Sequence, residues 1–434
     1  MLQFLGSRRG TNCDGTSRRD FLKVGALGMG SLLLPDLLRA KATAASNGKH
    51  VKNKSVIWLW LGGGPTQVET FDPKMSAPVE FRSTVGAVKT NVPGIELGGV
   101  FPQMARVADK MAFVRSFAHG NSGHGGGTHW VMTGYDYPPA DSGLPAIKPA
   151  LGSVLSRVRG PNNQTTGLPT YVRLSQIYGD GPSWLGPAYA PFDTSGDSRT
   201  NMNLRLTLDK LNDRRSLLKE FDTIDRTLDK SGLMRGLDSF ETQAFDLILS
   251  RAREVFDLQR EDPRTRDKYG PGLGEQLLLA RRLCEAGVGF VTIHYGGWDM
   301  HGQIQQSMKS LAPAMDQGVA TLLSDLEARG MDKDVLLVIS GEFGRTPRIN
   351  GGAGRDHWAP LSTLALAGGG LRMGQVVGES SAKVEVPKST PITPQDLMAT
   401  VFHVLDLQGD MQFQDQAGRP TTMVDGGKPI AELV

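Results

Sequence analysis

The segment "SVIWLWLGGG", residues 55–64, is an apolar run that stops at three glycines. Two further runs, "VGFVTIHY" (288–295) and "DVLLVIS" (334–340), have the same character, and each ends in a glycine-rich or polar loop. Short runs that are apolar almost throughout are typical of strands buried on both faces of a parallel sheet. We therefore predict three such strands, with "LSTLALAG" (361–368) as a fourth and "MAFVRSF" (111–117) as a fifth.

Helical patterns lie between and after these runs, at 274–286, 303–329 and 394–407. We expect Pro313 to kink or divide the second helix, because proline removes a backbone donor. Thr393 and Pro394 are an N-cap and a first-turn residue typical of a helix start. The alternation of strand and helix predicts an α/β fold, a three-layer sandwich around a mostly parallel mixed sheet.

The segment at about 204–268 is charged, lacks β-branched runs and carries apolar residues at helical spacing. Asp238 and Glu241 have the spacing of a capping box at the start of a helix. We predict a helical insertion that packs against the sheet. The alternative is a lid or a surface for another exported protein.

The first 44 residues have the features of an export signal. "SRRDFLK" (17–23) resembles the twin-arginine consensus, a mildly apolar stretch follows, and Ala42–Ala44 offers a cleavage site. The apolar stretch (24–34) is shorter than the roughly 18 to 20 residues of a membrane span. We therefore expect the twin-arginine machinery to export a single domain, residues 45–434, to the periplasm or the extracellular space. That route carries folded proteins, often with a cofactor installed, and its use favours a metal site.

Composition argues against a nucleic-acid partner and against a disulfide bond within residues 45–434. The 48 basic and 45 acidic residues give a net charge of +3, with basic residues concentrated partly in the leader, which argues against a nucleic-acid partner. Cys284 is the one cysteine outside the leader, so residues 45–434 form no disulfide among themselves.

Ligands in open α/β sheets bind at the carboxyl ends of the strands, and four loops there carry metal-type residues. In chain order the candidates are Gly63, Gly64, Glu69 and Asp72; then His119, His124 and His129; then Asp299 and His301; and finally Glu342, Arg345, Arg355, Asp356 and His357. Ligand atoms from three or more of these loops within about 5 Å of one point would favour an enzyme, since metal bonds are near 2 Å.

Mixed carboxylate and imidazole ligands suit one or two ions of zinc, manganese or iron rather than calcium or magnesium. Arg345 and Arg355, with the amides of Gly63 and Gly64, would contact an oxyanion such as sulfate or phosphate. The reaction class that follows is ester hydrolysis, in which a metal lowers the pKa of a bound water or nucleophile.

The motifs "GGGPTQVETFDPK", "GGWDMH" and "GEFGRTPRINGGAGRDHW" behind such a leader closely resemble the exported bacterial family called domain of unknown function 1501. That family is similar to the alkaline phosphatase and sulfatase superfamily, whose members bind one or two metals at the carboxyl end of a mixed sheet. The resemblance implies an alkaline phosphatase-like fold with Glu69, Asp72, Asp299, His301, Glu342, Asp356 and His357 as metal ligands.

The sequence departs from the superfamily pattern at three places. Gly62–Gly64 stands where members have an aspartate ligand, and Glu342-Phe343 stands where they have an Asp-His pair, which Asp356-His357 could replace. The turn "VMTGY" resembles the end of the sulfatase nucleophile loop. Counting back from it places the nucleophile at or near His124, where the chain offers imidazole and no cysteine.

The histidines therefore have three interpretations. They are metal ligands, or His124 is itself a nucleophile or acid–base group, or they form a structural network in a protein that has lost catalysis. We interpret His294 and His403 as structural. The function that follows is an exported, metal-dependent hydrolase for a small-molecule or polysaccharide sulfate or phosphate ester, with His124 and Arg345 as catalytic residues. The alternative is a catalytically degraded binding or assembly module.

Overall fold

The computed structural model describes residues 54–195 and 252–434. The predicted leader and most of the predicted helical insertion, including Asp238 and Glu241, lie outside the described residues. No helix among the described residues is both long enough and apolar enough to span a membrane.

The strands of the described residues are β1 (Ser55–Leu61), β2 (Ala87–Lys89), β3 (Glu96–Gly98), β4 (Met111–Val114), β5 (Tyr171–Arg173), β6 (Phe192–Asp193), β7 (Phe290–Tyr295), β8 (Val335–Ser340), β9 (Gly344–Arg345), β10 (His357–Trp358), β11 (Leu364–Gly368), β12 (Gln375–Val377), β13 (Gln412–Gln414) and β14 (Pro420–Thr422). The α-helices are α1 (Pro102–Ala105), α2 (His124–Thr133), α3 (Leu151–Arg159), α4 (Ala252–Phe256), α5 (Pro263–Tyr269), α6 (Leu273–Glu285), α7 (Ile304–Ala328) and α8 (Pro394–Val404).

Eight strands form the main sheet in the order β12-β4-β11-β8-β1-β7-β5-β6. β11 runs antiparallel to β4 and β8, while the other neighbours pair in parallel. The sheet is therefore mixed and mostly parallel, as predicted. The predicted fourth strand of the parallel set, 361–368, is the antiparallel one, because an apolar run does not encode the direction of a strand.

Side chains of β1 alternate between two cores, as the pleat of a strand requires. Ile57 and Leu59 pack in the core that α6 and α7 cover. Trp58 and Trp60 pack in the opposite core, which α2, α3 and α8 cover. Helices thus cover both faces of the sheet, which confirms the three-layer sandwich.

Two helix predictions had different outcomes. α7 is a single helix with Pro313 inside it, so of the two predicted effects the proline does not divide the helix, and the kink stays a prediction. Burial of Met308 and Met315 on the inner face of this long helix outweighs the local cost of the proline, about 3 kcal/mol. α8 begins as predicted: Thr393 accepts from the backbone of Asp396, and Asp396 accepts from the backbone of Thr393.

Candidate metal centre

The carboxyl ends of β1, β4, β7 and β8 lie at one edge of the sheet, and the loops that follow them meet there. The loop after β4 leads into α2, which begins at His124. The loop after β7 carries Asp299 and His301, and the segment after β8 carries His357. One ligand atom from each of His124, Asp299 and His357 lies within 4.8 Å of the others. Three loops thus contribute to one group of side chains, which we call the His–Asp cluster: His124, Asp299, His301 and His357.

The carboxylate oxygen Oδ1 of Asp299 is the shared contact of this cluster. It lies 3.0 Å from Nε2 of His301 and 3.1 Å from Nε2 of His357. The two nitrogens are 3.1 Å apart. Atoms bound to one ion at about 2.0–2.1 Å are roughly 2.8–3.0 Å apart in octahedral geometry and roughly 3.3–3.4 Å apart in tetrahedral geometry. The three atoms therefore have the spacing of three ligands of one ion.

In His301 and His357, the ring nitrogen that does not face Asp299, Nδ1, is bonded to an oxygen acceptor. Nδ1 of His301 donates to Oδ1 of Asp356 over 2.6 Å, and Nδ1 of His357 donates to the carbonyl of Ser122 over 2.9 Å. Because Nδ1 carries the hydrogen, Nε2 of each neutral ring presents a lone pair to Asp299. Such bonds to a carboxylate or a backbone carbonyl are typical of metal-binding histidines. Three acceptor atoms at this spacing repel one another unless a cation lies among them.

His124 lies on the other side of the Asp299 carboxylate. Its Nε2 is 3.6 Å from Oδ2 of Asp299, and its Nδ1 is 2.8 Å from Oε1 of Glu342. The His124 side chain is 46% exposed, whereas that of Glu342 is 4% exposed. Gly123 is the N-cap of α2, so His124 stands at the positive end of the helix dipole.

Charge and burial shift the pKa values of three residues of the cluster, Asp299, His357 and His124. Partial burial raises the pKa of Asp299, but the hydrogen bond with Arg345 and the charge of that guanidinium outweigh it and bring the pKa to about 2. Burial lowers the pKa of His357, which favours its neutral ring. The hydrogen bond with Glu342 raises the pKa of His124. Asp299 is therefore ionised at neutral pH.

The glycines after β1 allow the site loops to approach closely. A Cβ on Gly63, whose φ is +112°, would lie 2.4 Å from the backbone nitrogen of Asp299. A Cβ on Gly64 would lie 2.3 Å from the ring of Phe343. The amide of Gly63 donates to Oε1 of Glu342 over 2.8 Å. The sequence predicted an anion contact for these glycines, and the structure shows that they pack the loop against the cluster.

Arg345 was predicted to hold the oxyanion, whereas in the structure it is buried and contacts Asp299 of the cluster. Its guanidinium is fully buried and donates to Oδ1 of Asp299, to the carbonyl of Gly63 and, over 2.8 Å, to the carbonyl of Gly64. These contacts fix the orientation of the Asp299 carboxylate. Arg345 therefore acts on the cluster through Asp299.

Glu69 and Asp72 lie away from the cluster. Glu69 accepts from Nε of Arg355 over 3.0 Å, and both side chains are fully buried. Asp72 accepts from Ser380 and lies 3.5 Å from Nε of Arg115. The structure thus does not bring these two predicted ligands to the site, and the predicted anion contact Arg355 is bonded to a carboxylate. In each case an oppositely charged partner inside the fold binds the group.

Glu342 and Asp356 contact histidines of the cluster at Nδ1, the ring nitrogen that does not face Asp299. Each bonds Nδ1 of a histidine, Glu342 that of His124 and Asp356 that of His301. The hydrogen bond with His301 lowers the pKa of Asp356, so its carboxylate is ionised. Both residues were predicted as direct ligands, and the structure brings both to the site as supports of ligand-type histidines.

His119 and His129 point into the protein instead of the cluster. Nδ1 of His129 donates to the carbonyl of Tyr135 over 2.7 Å, and the ring is fully buried. His119 packs against Trp130 with ring centroids 5.4 Å apart. Burial lowers the pKa of both, that of His119 to about 4. His119 lies in a loop, whereas His124 and His129 are helical, because the glycine-rich stretch forms the first two turns of α2.

Asn350 is a site residue that the sequence analysis missed. Its Nδ2 donates to the carbonyl of His301 over 3.0 Å and to both oxygens of Asp356 over 3.3 Å. Its Oδ1 accepts from the amides of Gly352 and Gly354. The Asn-Gly pair is a sequence signal for a turn, but nothing in the sequence indicates that this turn holds Asp356.

The family described as "Protein of unknown function (DUF1501)" matches residues 53–434. The chain belongs to that family. The match covers every residue of the His–Asp cluster and of its supports. No curated protein matches this DUF1501 chain in sequence.

Solved structures similar to this DUF1501 chain include three hydrolase-type or sugar-bound proteins. Ps i-CgsB in complex with k-i-k-neocarrahexaose has a TM-score of 0.39 at 10% identity, covering 86% of this chain and 75% of that one. The PsFucS1 sulfatase from Pseudoalteromonas sp. has a TM-score of 0.37 at 13% identity, covering 86% of this chain and 71% of that one. The phosphonate monoester hydrolase SpPMH from Silicibacter pomeroyi has a TM-score of 0.34 at 13% identity, covering 82% of this chain and 74% of that one.

Proposed function

We propose that the protein is a metal-dependent hydrolase that acts on a sulfate or phosphate ester after export. The observation that carries the proposal is the mutual spacing of 3.0–3.1 Å among Oδ1 of Asp299, Nε2 of His301 and Nε2 of His357. Both imidazoles have their other nitrogen bonded to an oxygen acceptor, so their lone pairs face the carboxylate. That arrangement suits a cation.

Asp299, His301 and His357 would hold one divalent ion. Two imidazoles and one carboxylate are a donor set that suits zinc, manganese or iron, whereas calcium prefers oxygen alone. Such an ion supplies charge that lowers the pKa of a bound water and stabilises negative charge on a transferring group. Arg345 holds the carboxylate of Asp299 in place.

His124 is the group placed to touch the substrate. Its side chain is 46% exposed, and its Nε2 is 3.6 Å from the carboxylate that would hold the metal. A partly exposed imidazole beside a metal can accept a proton from the attacking water and return it to the leaving group. The positive end of α2 at His124 favours an anionic group at the same place.

The ester class follows from the sequence resemblance to the alkaline phosphatase and sulfatase superfamily, and an anionic ester fits the positive end of α2. A small molecule and a polysaccharide are both candidate substrates. The test uses protein exported from a bacterium and purified without a tag or added metal. We expect near-stoichiometric zinc, manganese or iron and hydrolysis of 4-nitrophenyl sulfate or 4-nitrophenyl phosphate. Metal-free protein that takes up none of these ions would contradict the proposal.

A binding or assembly module is the second candidate. The observation that favours it is the burial of Arg345 and Arg355, which are bonded to the carboxylates of Asp299 and Glu69. A protein that binds the metal but hydrolyses neither ester would support this candidate, with the metal as a structural element.

We also propose that residues 1–44 direct export through the twin-arginine machinery, on the strength of "SRRDFLK" at 17–23. Replacing Arg18 and Arg19 by lysine should retain the protein in the cytoplasm. Fractionation of cells into periplasm and cytoplasm measures this, and unchanged export of the variant would contradict the assignment.

A further inference from the structure

Glu342 occupies a buried position directly after β8, behind the ring of His124. Its side chain is 4% exposed, and Oε1 accepts from Nδ1 of His124 and from the amide of Gly63, each over 2.8 Å. Glu342 lies two residues after Ser340, the last residue of β8, at the edge of the sheet where the His–Asp cluster lies. Two donors thus converge on one oxygen of a buried carboxylate.

Oε2 of the same carboxylate is buried and has no hydrogen-bond partner among the residues that the structure describes. An unpartnered buried carboxylate oxygen costs free energy, and such a cost in a folded protein calls for an explanation. Gln in place of Glu342 would keep the acceptor for His124 and Gly63 and would avoid the buried charge. The acceptor oxygen, and not the negative charge, is therefore the feature of Glu342 that its contacts with His124 and Gly63 require.

The two nitrogens of His124 separate Glu342 from the metal-binding atoms. Nδ1 faces Glu342, while Nε2 faces Oδ2 of Asp299 at 3.6 Å. Because the two nitrogens lie on different edges of the ring, the carboxylate bonded to Nδ1 is behind the imidazole. The metal-type atoms of His301 and His357 meet the other oxygen of Asp299.

We infer that Glu342 is a positioning residue that acts through His124, and that it is not a metal ligand. This inference rests on the proposed function. By accepting from Nδ1, Glu342 holds the hydrogen of the neutral ring on that nitrogen and leaves the lone pair on Nε2, where the substrate is proposed to bind. Its second contact, with Gly63, ties the ring to the loop that packs against Asp299.

The first test reads the tautomer of His124 directly. Nitrogen NMR of the histidine rings is recorded on metal-free protein at alkaline pH, where the rings are neutral, and a His124→Gln variant assigns the signals. We expect wild type to carry the hydrogen on Nδ1 and Glu342→Ala to show a mixture of tautomers. Glu342→Gln, which keeps an acceptor oxygen, should resemble wild type. A His124 tautomer unchanged in Glu342→Ala would overturn the inference.

The second test separates metal affinity from turnover, with Asp356→Ala as the matched control because Asp356 supports His301. We expect Asp356→Ala to weaken metal binding about 10- to 100-fold. Glu342→Ala should change metal affinity less than about threefold and lower kcat, but by less than the roughly 100-fold or more that loss of the acid–base group in His124→Gln should cost. Adding Glu342→Ala to His124→Gln should lower kcat no further, since Glu342 acts through His124.

A metal affinity that falls as far in Glu342→Ala as in Asp356→Ala would make Glu342 a ligand or a support of one, and would overturn the inference. The NMR and metal measurements need no turnover. If neither ester is hydrolysed, the proposed function fails, while these two measurements still decide whether Glu342 positions His124.

Discussion

Nε2 of His301 lies 3.1 Å from Nε2 of His357, and each of the two atoms is within 3.1 Å of the same oxygen of Asp299. Two lone-pair nitrogens and a carboxylate oxygen in such contact are stable only when positive charge lies among them. Arg345 supplies charge from beneath Asp299, but its guanidinium is buried and also bonded to backbone carbonyls. The exposed side of these three atoms is where we propose that a divalent ion binds.

Removing one of these atoms should remove the metal. We expect His357→Ala and Asp299→Ala to lower metal affinity by more than the roughly 10- to 100-fold typical of changes to supporting residues. His403→Ala is the control, because His403 is an exposed histidine on α8. Metal content by elemental analysis and circular dichroism of each variant check this. Metal that survives both changes in a folded protein would place the site elsewhere.

Glu69 should matter for stability and not for metal binding. Glu69→Ala leaves the guanidinium of Arg355 buried without its carboxylate, and breaking a buried pair costs about 3–5 kcal/mol. Glu379→Ala, which breaks the exposed pair with Lys388, should cost less than about 1 kcal/mol. Denaturant titration measures both. If Glu69→Ala lost metal while its free energy of unfolding stayed at the wild-type value, Glu69 would be a ligand after all.

The sequence predicted the main strands and the edge of the sheet that carries the site, because these follow from local patterns. The run at 55–61 became β1 with the predicted bounds. Asp299 and His301 reach the cluster because they lie only four and six residues beyond the end of β7, so the chain has little freedom to carry them elsewhere. The distance of a residue from the end of a strand follows from the local sequence, and so it could be predicted.

The roles of charged residues within the loops could not be predicted, because they depend on partners far away in sequence. Glu69 and Arg355 are 286 residues apart and neutralise each other inside the fold. A carboxylate near a strand end has the same local sequence whether it faces a metal or a buried arginine. His119 and His129 likewise share the spacing of His124, but their backbone directs them into the protein.

Gly63 should tolerate no side chain. Gly63→Ala combines a positive φ of +112° with a Cβ 2.4 Å from the backbone of Asp299, so the strain and the overlap together should cost about 3 kcal/mol. Gly86→Ala is the matched control: its φ is +73° and a Cβ there meets nothing within 4 Å, so it should cost about 1 kcal/mol. Thermal unfolding and metal titration compare the two. Equal metal affinity in both variants would show that Gly63 does not position Asp299.

Acid should destabilise the protein through His119. Burial lowers the pKa of His119 from 6.5 to about 4, although the carbonyl of Glu342 and the carboxylate of Asp136 oppose the shift. Between these values the unfolded chain binds a proton that the folded protein excludes. The contribution of the neutral His119 ring to the free energy of unfolding is therefore complete above pH 6.5. It is lost as the pH falls towards 4, by up to about 3 kcal/mol. We expect His119→Gln to be less stable than wild type at neutral pH but to lose less free energy of unfolding on acidification. The check is denaturant titration of both proteins across this pH range, and parallel pH profiles would assign the acid sensitivity to other groups.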